Sequence, residues 1–315
     1  MADVYKSYSD LVMLNDLNAV DSGVSDVLDD APLMSKLAAI PASDGVFHRY
    51  LKEVGGAGAA FRTINVGIPN TTSSDVAVTI NLGILDGSFA VDKAAALGYR
   101  KGGPEAFVQR ELRRKLRATM FKAETQIING TTNGDASGFT GFADGLNALS
   151  NPQVLNAGGT TAGSASSIYL IRTNDLGTDV SLIAGNDGEL VVGETVEQRI
   201  DDGSTPIKHL TALTTSVIGW MGVQLGSVYS IVRIANVTAD TGKGATDVLI
   251  SKAMALFPAS RQPNLCVMGR RSLQQLQASR TVFSPTGAPA PSPTDVYGVP
   301  VVVTDGCLST ESLVS

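Results

Sequence analysis

The sequence has 315 residues, with 24 Lys and Arg, 30 Asp and Glu, a formal net charge of −6 and only 17% charged residues. It contains no apolar run near the ~18 residues that a membrane helix needs, and its first residues lack the basic and apolar regions of a signal peptide. Two separated cysteines, Cys266 and Cys307, exclude a disulfide framework and a thiolate zinc site, and both are expected to be buried in a reducing cytoplasm. Soluble domains usually carry about 25% charged residues, so the low charge indicates that other chains cover much of this protein's surface.

The charges are concentrated in two segments of opposite sign. Residues 1–30 contain seven aspartates and one lysine, a formal charge of −6, and the candidate contact residues among them are Asp16, Asp21, Asp26, Asp29 and Asp30. Residues 100–122 contain eight basic and two acidic residues, a formal charge of +6. Two interpretations are open: the segments pair, within a subunit or between neighbours, or they are solvated faces that never meet.

The first 91 residues predict an arm followed by a long hairpin. Residues 8–30 carry apolar side chains at helical spacing, but Ser, Asp and Gly dilute the pattern and Pro32 and Pro41 interrupt it, which indicates an arm over residues 1–44. Residues 45–91 contain FHRYLKEV, a run of small residues and an alternating strand around Val78. This pattern predicts a hairpin that has no core of its own and packs on another chain.

Residues 104–129 carry the clearest helix signal. Pro104 and Glu105 are typical of a first helical turn, and apolar residues then recur mostly every four positions as far as Ile127. Asn129 and Gly130 are typical of a helix end. The narrow apolar stripe and the broad basic back predict a helix that lies across a sheet or a neighbour and is not buried in a core.

Beyond residue 130, strand patterns dominate and then alternate with helices. The strand segments are SSIYLIRT, TDVSLIA, ELVVG and VYSIVRIANV, separated by turn sequences. A helix at 245–257, the strand NLCVM, a short helix and the strand VPVVVT follow, and a proline-rich loop before the last strand is expected to be exposed. The predicted fold class is therefore α+β.

We expect no catalytic, cofactor-binding or metal-binding residues. The two imidazoles, His48 and His209, have no carboxylate or cysteine at ligand spacing. Residues 240–242 spell a single Asp-Thr-Gly, whereas aspartic proteases pair two carboxylates, and the Gly-Lys pair at 242–243 lacks the flanking residues of a phosphate loop. Both motifs are interpreted as one polar loop, and GDASG at 134–138 as a turn.

Four segments, in their order along the chain, carry a resemblance to a known family. They are HRYLKEVGGAGAAFRTINVG with its return strand, EAFVQRELRRKLRATMFKAETQIING followed by GFTGFADGL, SSIYLIRTNDLGTDVSLIAG with IGWMGVQLGSVYSIVRIANV, and NLCVMGRRSLQQL with YGVPVVVTDGCLSTESLV. This set resembles the major capsid proteins of tailed bacteriophages, which have the Hong Kong 97-type capsid fold. The resemblance implies an N-terminal arm (1–44), an extended E-loop hairpin (45–91), a peripheral domain (92–238) with a spine helix (104–129) and a β-rich block, and an axial domain (239–315) with a closing strand.

The resemblance also implies a function and partners. It implies self-assembly into pentamers and hexamers of an icosahedral head that encloses double-stranded DNA, within a virion assembled in the cytoplasm of a bacterial host. A portal protein, a separate scaffolding protein (because the sequence begins directly with the arm) and non-specific contact with packaged DNA are the implied partners. The candidate site is then a basic stripe that faces either the acidic arm or the DNA, and its residues are Arg110, Arg113, Arg114 and Arg117.

Two further functions remain open from the sequence. One is an encapsulin-like cellular nanocompartment shell of the same fold, which would hold a protein cargo and no DNA. The other, from a different class, is a small soluble hydrolase with an unrecognised site, which predicts a compact monomer or dimer with a concave pocket. Co-purified protein cargo in place of nucleic acid would distinguish the nanocompartment shell from a capsid. A small particle size would distinguish the hydrolase.

Overall fold

The computed structural model describes residues 28–56, 58–70, 72–100, 102–188, 190–201, 208–282 and 288–315. Asp16, Asp21 and Asp26 of the predicted arm lie outside these ranges. The helices are α1 (Lys93–Leu97), α2 (Gly103–Asn133), α3 (Phe142–Gly145), α4 (Asp247–Met254) and α5 (Arg270–Val282), with a 3₁₀ turn at Asn186–Gly188. Within the described ranges, no helix is both long and apolar enough to cross a membrane.

Sixteen strands lie before, between and after these helices in the described ranges, an α+β arrangement. They are β1 (Ala39–Pro41), β2 (Phe47–Gly55), β3 (Ser74–Asn81), β4 (Gly83–Asp86), β5 (Phe89–Asp92), β6 (Val154–Asn156), β7 (Ser166–Ile171), β8 (Val180–Ala184), β9 (Val191–Val192), β10 (Val196–Asp201), β11 (His209–Thr215), β12 (Val217–Leu225), β13 (Ile231–Val237), β14 (Leu265–Met268), β15 (Asp295–Val296) and β16 (Val299–Val303). The predicted hairpin, the predicted long helix and the predicted closing strand are all present. The α+β class expected from the sequence is confirmed.

Pairing of the described strands produces one large sheet and three smaller ones. The large sheet has six strands in the order β15-β16-β14-β7-β13-β6. A five-stranded sheet has the order β1-β8-β12-β4 with β9 also paired to β12, a three-stranded sheet has the order β10-β11-β5, and β2 pairs with β3 alone. In the large sheet, β14 pairs with β7 in the register Cys266↔Leu170. This sheet therefore combines strands from both sides of the boundary expected at 238/239.

The core lies on both faces of the six-stranded sheet. Every residue of β7 and of β13 is buried, and their alternating side chains point to opposite faces. Ile168 and Leu170 belong to an apolar cluster with α4 and α5, whereas Tyr169 and Ile171 belong to a second cluster with α2, β8 and β12. A run of apolar residues without polar alternation is typical of a strand covered on both sides.

The helical conformation of α2 breaks at Gly130, as the sequence predicts. Its backbone has φ of 60° and ψ of −151°, a conformation that side chains with a Cβ rarely adopt. A Cβ there would also collide with the carboxylate of Asp144. That carboxylate accepts hydrogen bonds from the backbone N–H groups of Thr131, Thr132 and Gly141 at 2.8, 2.8 and 3.0 Å. The helix end is thus fixed by glycine and by one carboxylate.

The expectation that α2 is not buried in a core is wrong for its second half. Apolar side chains from Leu116 to Ile128 lie in the larger core cluster. Four polar residues also lie on the buried face: Thr119, Glu124, Gln126 and Asn129. Because they are polar, the apolar stripe in the sequence is narrower than the surface that is buried. Only the first half of α2 is a basic, largely exposed helix.

Candidate functional site

The first candidate contact surface is the hairpin of β2 and β3. The two strands pair antiparallel from Phe47↔Asn81 to Gly55↔Ser74, and apolar side chains of the connecting segment are exposed. Those side chains are Phe61, Ile64, Val66 and Ile68, and Ile64 is 90% exposed. Single exposed apolar residues are common on soluble proteins, but a set of them on one projecting segment marks an interaction surface.

The root of the hairpin is held against its own subunit by a defined set of polar contacts. The Nδ1 atom of His48 accepts a hydrogen bond from the backbone N–H of Ser43 at 3.0 Å. Its Nε2 therefore carries the proton and donates to Oε1 of Gln224 at 2.8 Å. Glu53 pairs with Arg261 at the far end of β2. These contacts fix where the hairpin leaves the subunit, whereas its apolar tip contacts no core cluster.

The second candidate surface is the basic stripe on the first half of α2. The guanidinium of Arg110 lies 5.1 Å from the ring centres of both Tyr99 and Phe107, a cation–π geometry. Arg113 is exposed, and no ion pair to it occurs within the described ranges. The stripe is therefore divided: Arg110 stabilises the start of the helix, and Arg113 is available for another partner.

The other two arginines of the stripe also contact carboxylates of the same chain, as Arg110 does through its Nη2, which lies 3.5 Å from Oε1 of Glu111. Nη1 of Arg114 donates to Oε1 of Glu111 at 2.9 Å, and Nε of Arg117 donates to Oδ2 of Asp30 at 3.0 Å. The second pair joins the last residue of the acidic segment to the basic helix within one subunit. Because its side chains are 39% and 54% exposed, solvent screening limits its contribution to about 0.2–1 kcal/mol.

Apolar burial holds residues 28–37 of the arm more strongly than this ion pair does. Leu33, Met34 and Leu37 are fully buried in the larger core cluster, and Leu28 is nearly so. Full burial of one such side chain contributes about 1.5–3 kcal/mol, which exceeds the exposed ion pair several-fold in total. Residues 28–37 are therefore a firmly packed base from which the acidic arm departs.

Glu124 connects this base to α2 and to the end of β16, and sequence reasoning missed it. Its Oε2 accepts hydrogen bonds from the backbone N–H groups of Leu33 and Met34 at 2.8 and 3.2 Å. Its Oε1 accepts from the hydroxyl of Thr304. Burial raises the pKa of Glu124 above its ordinary range, against the lowering effect of these hydrogen bonds. An acidic residue in a predominantly basic helix carries no sequence signal for this role.

We expect Glu124→Gln to make the free energy of unfolding less dependent on pH. Because burial raises its folded-state pKa, wild-type Glu124 binds its proton more tightly when folded than when unfolded. Its contribution is therefore greatest below the ordinary pKa of about 4.3 and is lost as pH rises through the folded-state pKa. Urea unfolding from pH ~4 to ~8 should show the stability of the Gln variant rising relative to wild type. A constant difference between the two proteins across that range would contradict the assignment.

A cavity of about 570 Å³ lies where the basic stripe meets residues 29–32 of the arm. We call it the α2–β16 groove. Its walls are α2 residues from Arg114 to Phe121, residues 29–32, and Arg270 with residues 303–305. Nε of Arg270 lies 2.5 Å from Oδ1 of Asp305 across its rim. The groove is thus lined by the same three chain regions that Glu124 connects: the base, α2 and the end of β16.

The remaining candidate residues have structural roles. Asp240 accepts hydrogen bonds from Thr160, Thr161 and Thr238. These bonds hold the pKa of Asp240 well below its ordinary range, which agrees with the predicted polar loop. His209 is exposed at the start of β11, and both cysteines are buried thiols. No group of three potential metal ligands occurs within the described part of the chain.

Comparison with known proteins identifies the class. The model of the family described as "Major capsid protein GP7" matches residues 20–315. The chain belongs to this family of major capsid proteins. It is therefore a shell-forming structural protein of the virion capsid and not an enzyme, which removes the hydrolase alternative. No curated protein sequence matches it.

Among solved structures, the Epsilon15 match supports the fold. The bacteriophage Epsilon15 structure matches with a TM-score of 0.63 at 21% identity, covering 88% of this chain and 87% of that one. The procapsid of bacteriophage JBD30 matches with a TM-score of 0.47 at 15% identity, covering 93% and 98%. The SrpI encapsulin of Synechococcus elongatus PCC 7942 matches with a TM-score of 0.43 at 11% identity, covering 67% and 90%. The Epsilon15 match shows the Hong Kong 97-type fold, and the encapsulin match is weaker.

Proposed function

We propose that this capsid protein assembles into pentamers and hexamers that close an icosahedral head around double-stranded DNA. The observation that carries the proposal is the β2–β3 hairpin, which presents Phe61 and Ile64 to solvent while its root is held on its own subunit. Covering these side chains by a neighbouring subunit removes apolar surface from water. The low charge content of the chain supports the same conclusion.

The proposal includes three partners and a place of assembly. A separate scaffolding protein acts during assembly, a portal protein occupies part of the shell, and packaged DNA contacts the shell without sequence specificity. Assembly takes place in the cytoplasm of a bacterial host. Membership of a capsid family and the likeness to the Epsilon15 structure support these statements.

We propose a domain division that follows the sequence expectation with one change. The arm is 1–44, the E-loop hairpin is 45–91, the peripheral domain begins at 92 and the axial domain includes 239–315. The change is that β6, β7 and β13 belong with the axial domain, because they share a hydrogen-bonded sheet with β14 and β16. Separating them would leave the backbone groups on the facing edges of β7 and β14 without partners in a buried sheet.

Sedimentation velocity tests the proposed function. The protein, expressed alone and together with its scaffolding protein, is expected to form a narrow megadalton species that is shell-like under negative stain. A sharp species near the single-chain mass of 32.6 kDa in both preparations would overturn the proposal. Nucleic acid in the particles supports a phage head, whereas a protein cargo without DNA supports the nanocompartment alternative.

The basic stripe is proposed to hold the acidic arm. The ion pair between Arg117 and Asp30 and the packed base at residues 28–37 support this role over one in which the two charged segments never meet. Arg113, exposed beside this pair, supplies a further positive charge to the same face. Contact between the stripe and DNA is the competing role.

Charge reversal distinguishes these two roles. We expect the triple change of Arg113, Arg114 and Arg117 to Glu to abolish assembly, because like charges would then face the arm. Changing Asp26, Asp29 and Asp30 to Lys in the same protein should restore particles in negative-stain images. Normal assembly of the triple variant, with less DNA retained per particle, would instead assign the stripe to DNA.

A further inference from the structure

We propose that the α2–β16 groove binds residues 20–27 of the same chain. This inference rests on the proposed contact between arm and stripe, and it specifies the segment, the receiving surface and the subunit. Two features of the groove carry it: an apolar floor, and two arginines, Arg114 and Arg270, with hydrogen-bond donors that no described residue uses. Two features of the segment match them, namely its point of departure and its pattern of valines and aspartates.

Three apolar residues from two parts of the fold line the groove, and we call this part of the lining its floor. Ala118 and Phe121 project from α2, and Val303 ends β16 on the other side. An apolar surface in an open groove favours a segment that presents small apolar side chains at regular spacing. Val20, Val24 and Val27 occupy positions i, i+4 and i+7, which lie on one face of a helix.

The rim of the groove carries arginine donors that no described residue uses. Arg114 contacts Glu111 through Nη1, and Arg270 contacts Asp305 through Nε. Their side chains are 63% and 78% exposed. Because a guanidinium has five N–H donors, each arginine keeps donors that can bind a carboxylate in the two-bond geometry arginine favours.

The geometry of the chain delivers the segment to this place. Residue 27 is bonded to Leu28, and Asp29 and Asp30 already line the groove. A chain spans at most about 3.6 Å per residue, so Asp26 lies within ~11 Å of Asp29 and Asp21 within ~29 Å. This limit keeps Asp26 near Asp29 and Asp30, which line the groove together with Arg114 and Arg270. The family match also begins at residue 20, so the proposed occupant lies wholly within the part that the family shares.

Two other occupants compete for the same groove. Residues 20–27 of a second copy carry identical chemistry and would exchange between subunits. A phosphate of packaged DNA would use the arginine donors but would leave the apolar floor uncovered. The aspartates already on the rim, Asp29, Asp30 and Asp305, oppose the DNA phosphate through charge. They oppose the segment less, because its three valines are held by the floor.

A disulfide-trapping experiment tests the inference on the full chain. Val24→Cys combined with Ala118→Cys is expected to form an intrachain disulfide in high yield under mild oxidation, both before and after assembly. The control pairs Val24→Cys with Glu105→Cys, an exposed position on the same helix about 20 Å away along its axis, and should form little. The native thiols do not interfere, because burial raises the pKa of Cys266 to about 12 and that of Cys307 well above its usual value, so little of the reactive thiolate is present.

Mass spectrometry of shells assembled from mixed isotope-labelled and unlabelled copies shows whether the two linked cysteines belong to the same copy. Linkage within one copy supports the inference, and linkage only between copies overturns it. Equal disulfide yields at Ala118→Cys and Glu105→Cys, or no disulfide at either position, also overturn it. A disulfide yield that is higher in shells without DNA than in shells with DNA overturns it too. Negative-stain images of the unoxidised variant report shell formation separately, so the groove assignment can fail while the capsid function stands.

Discussion

Replacing Phe61 and Ile64 with Asp is expected to abolish shell formation while leaving the subunit as stable as wild type. Both side chains are exposed in the single chain, so their removal costs no packing within the subunit. In a shell, covering each of them would contribute about 1.5–3 kcal/mol, and a carboxylate buried there without a partner would cost several kcal/mol more. The same contact recurs for every subunit of a ring, so the loss is multiplied through the assembly.

The measurement combines sedimentation velocity with thermal unfolding of the unassembled protein. Thr63→Asp with Asn65→Asp is the matched control, because both residues are polar and exposed in the same segment and the variant gains the same charge. We expect the control to retain shells and the Phe61/Ile64 variant to sediment as small species with an unchanged unfolding temperature. Shells of normal size from the Phe61/Ile64 variant would show that the hairpin tip is not an assembly contact.

Replacing Arg233 with Met is expected to lower the free energy of unfolding by about 3–5 kcal/mol. Both side chains of the Arg233–Glu311 ion pair are only 1% exposed, and Nη2 lies 2.8 Å from Oε2. Arg233 also donates to Oγ of Ser167 at 2.9 Å and to the carbonyl of Leu146 at 2.8 Å. Losing the arginine would leave the Glu311 carboxylate buried without its cation, and this residue belongs to the C-terminal segment that follows β16.

Urea unfolding of unassembled subunits measures this effect, and two further variants define its origin. Arg172→Met removes an ion pair at 2.9 Å whose arginine is 32% exposed, so we expect a smaller loss. Combining Arg233→Met with Glu311→Leu should recover much of the stability, because an apolar pair of similar volume avoids the desolvation penalty. A loss below about 1 kcal/mol for Arg233→Met would mean that water reaches the pair.

Prediction from sequence succeeded where the pattern is local. The alternation around Val78 and the small-residue run indicated a hairpin, and the structure has β2 paired with β3. Gly130 indicated a helix end because few other residues adopt a positive φ there. The basic stripe was visible because charge is read directly from residue type. These features depend on neighbours only a few positions apart.

Prediction failed where a residue's role depends on distant parts of the chain. Glu124 has no distinguishing pattern in the sequence, yet it accepts hydrogen bonds from Leu33, Met34 and Thr304, up to 180 positions away. Arg233 was a polar interruption in a strand pattern, and its carboxylate partner is 78 positions further on. The expectation of an unburied helix failed for the same reason, since buried polar side chains are identified only by their hydrogen-bond partners.

The sequence by itself determined the α+β class, the hairpin, the long helix and the capsid resemblance, because periodicity, turn residues and charge act over short distances along the chain. Only the tertiary structure decided that strands on both sides of residue 238 share one sheet, that the second half of α2 is core, and that the basic stripe opens onto a groove. The physical reason is that sheet pairing and burial are set by contacts between distant segments, and residue type alone does not encode which segments meet.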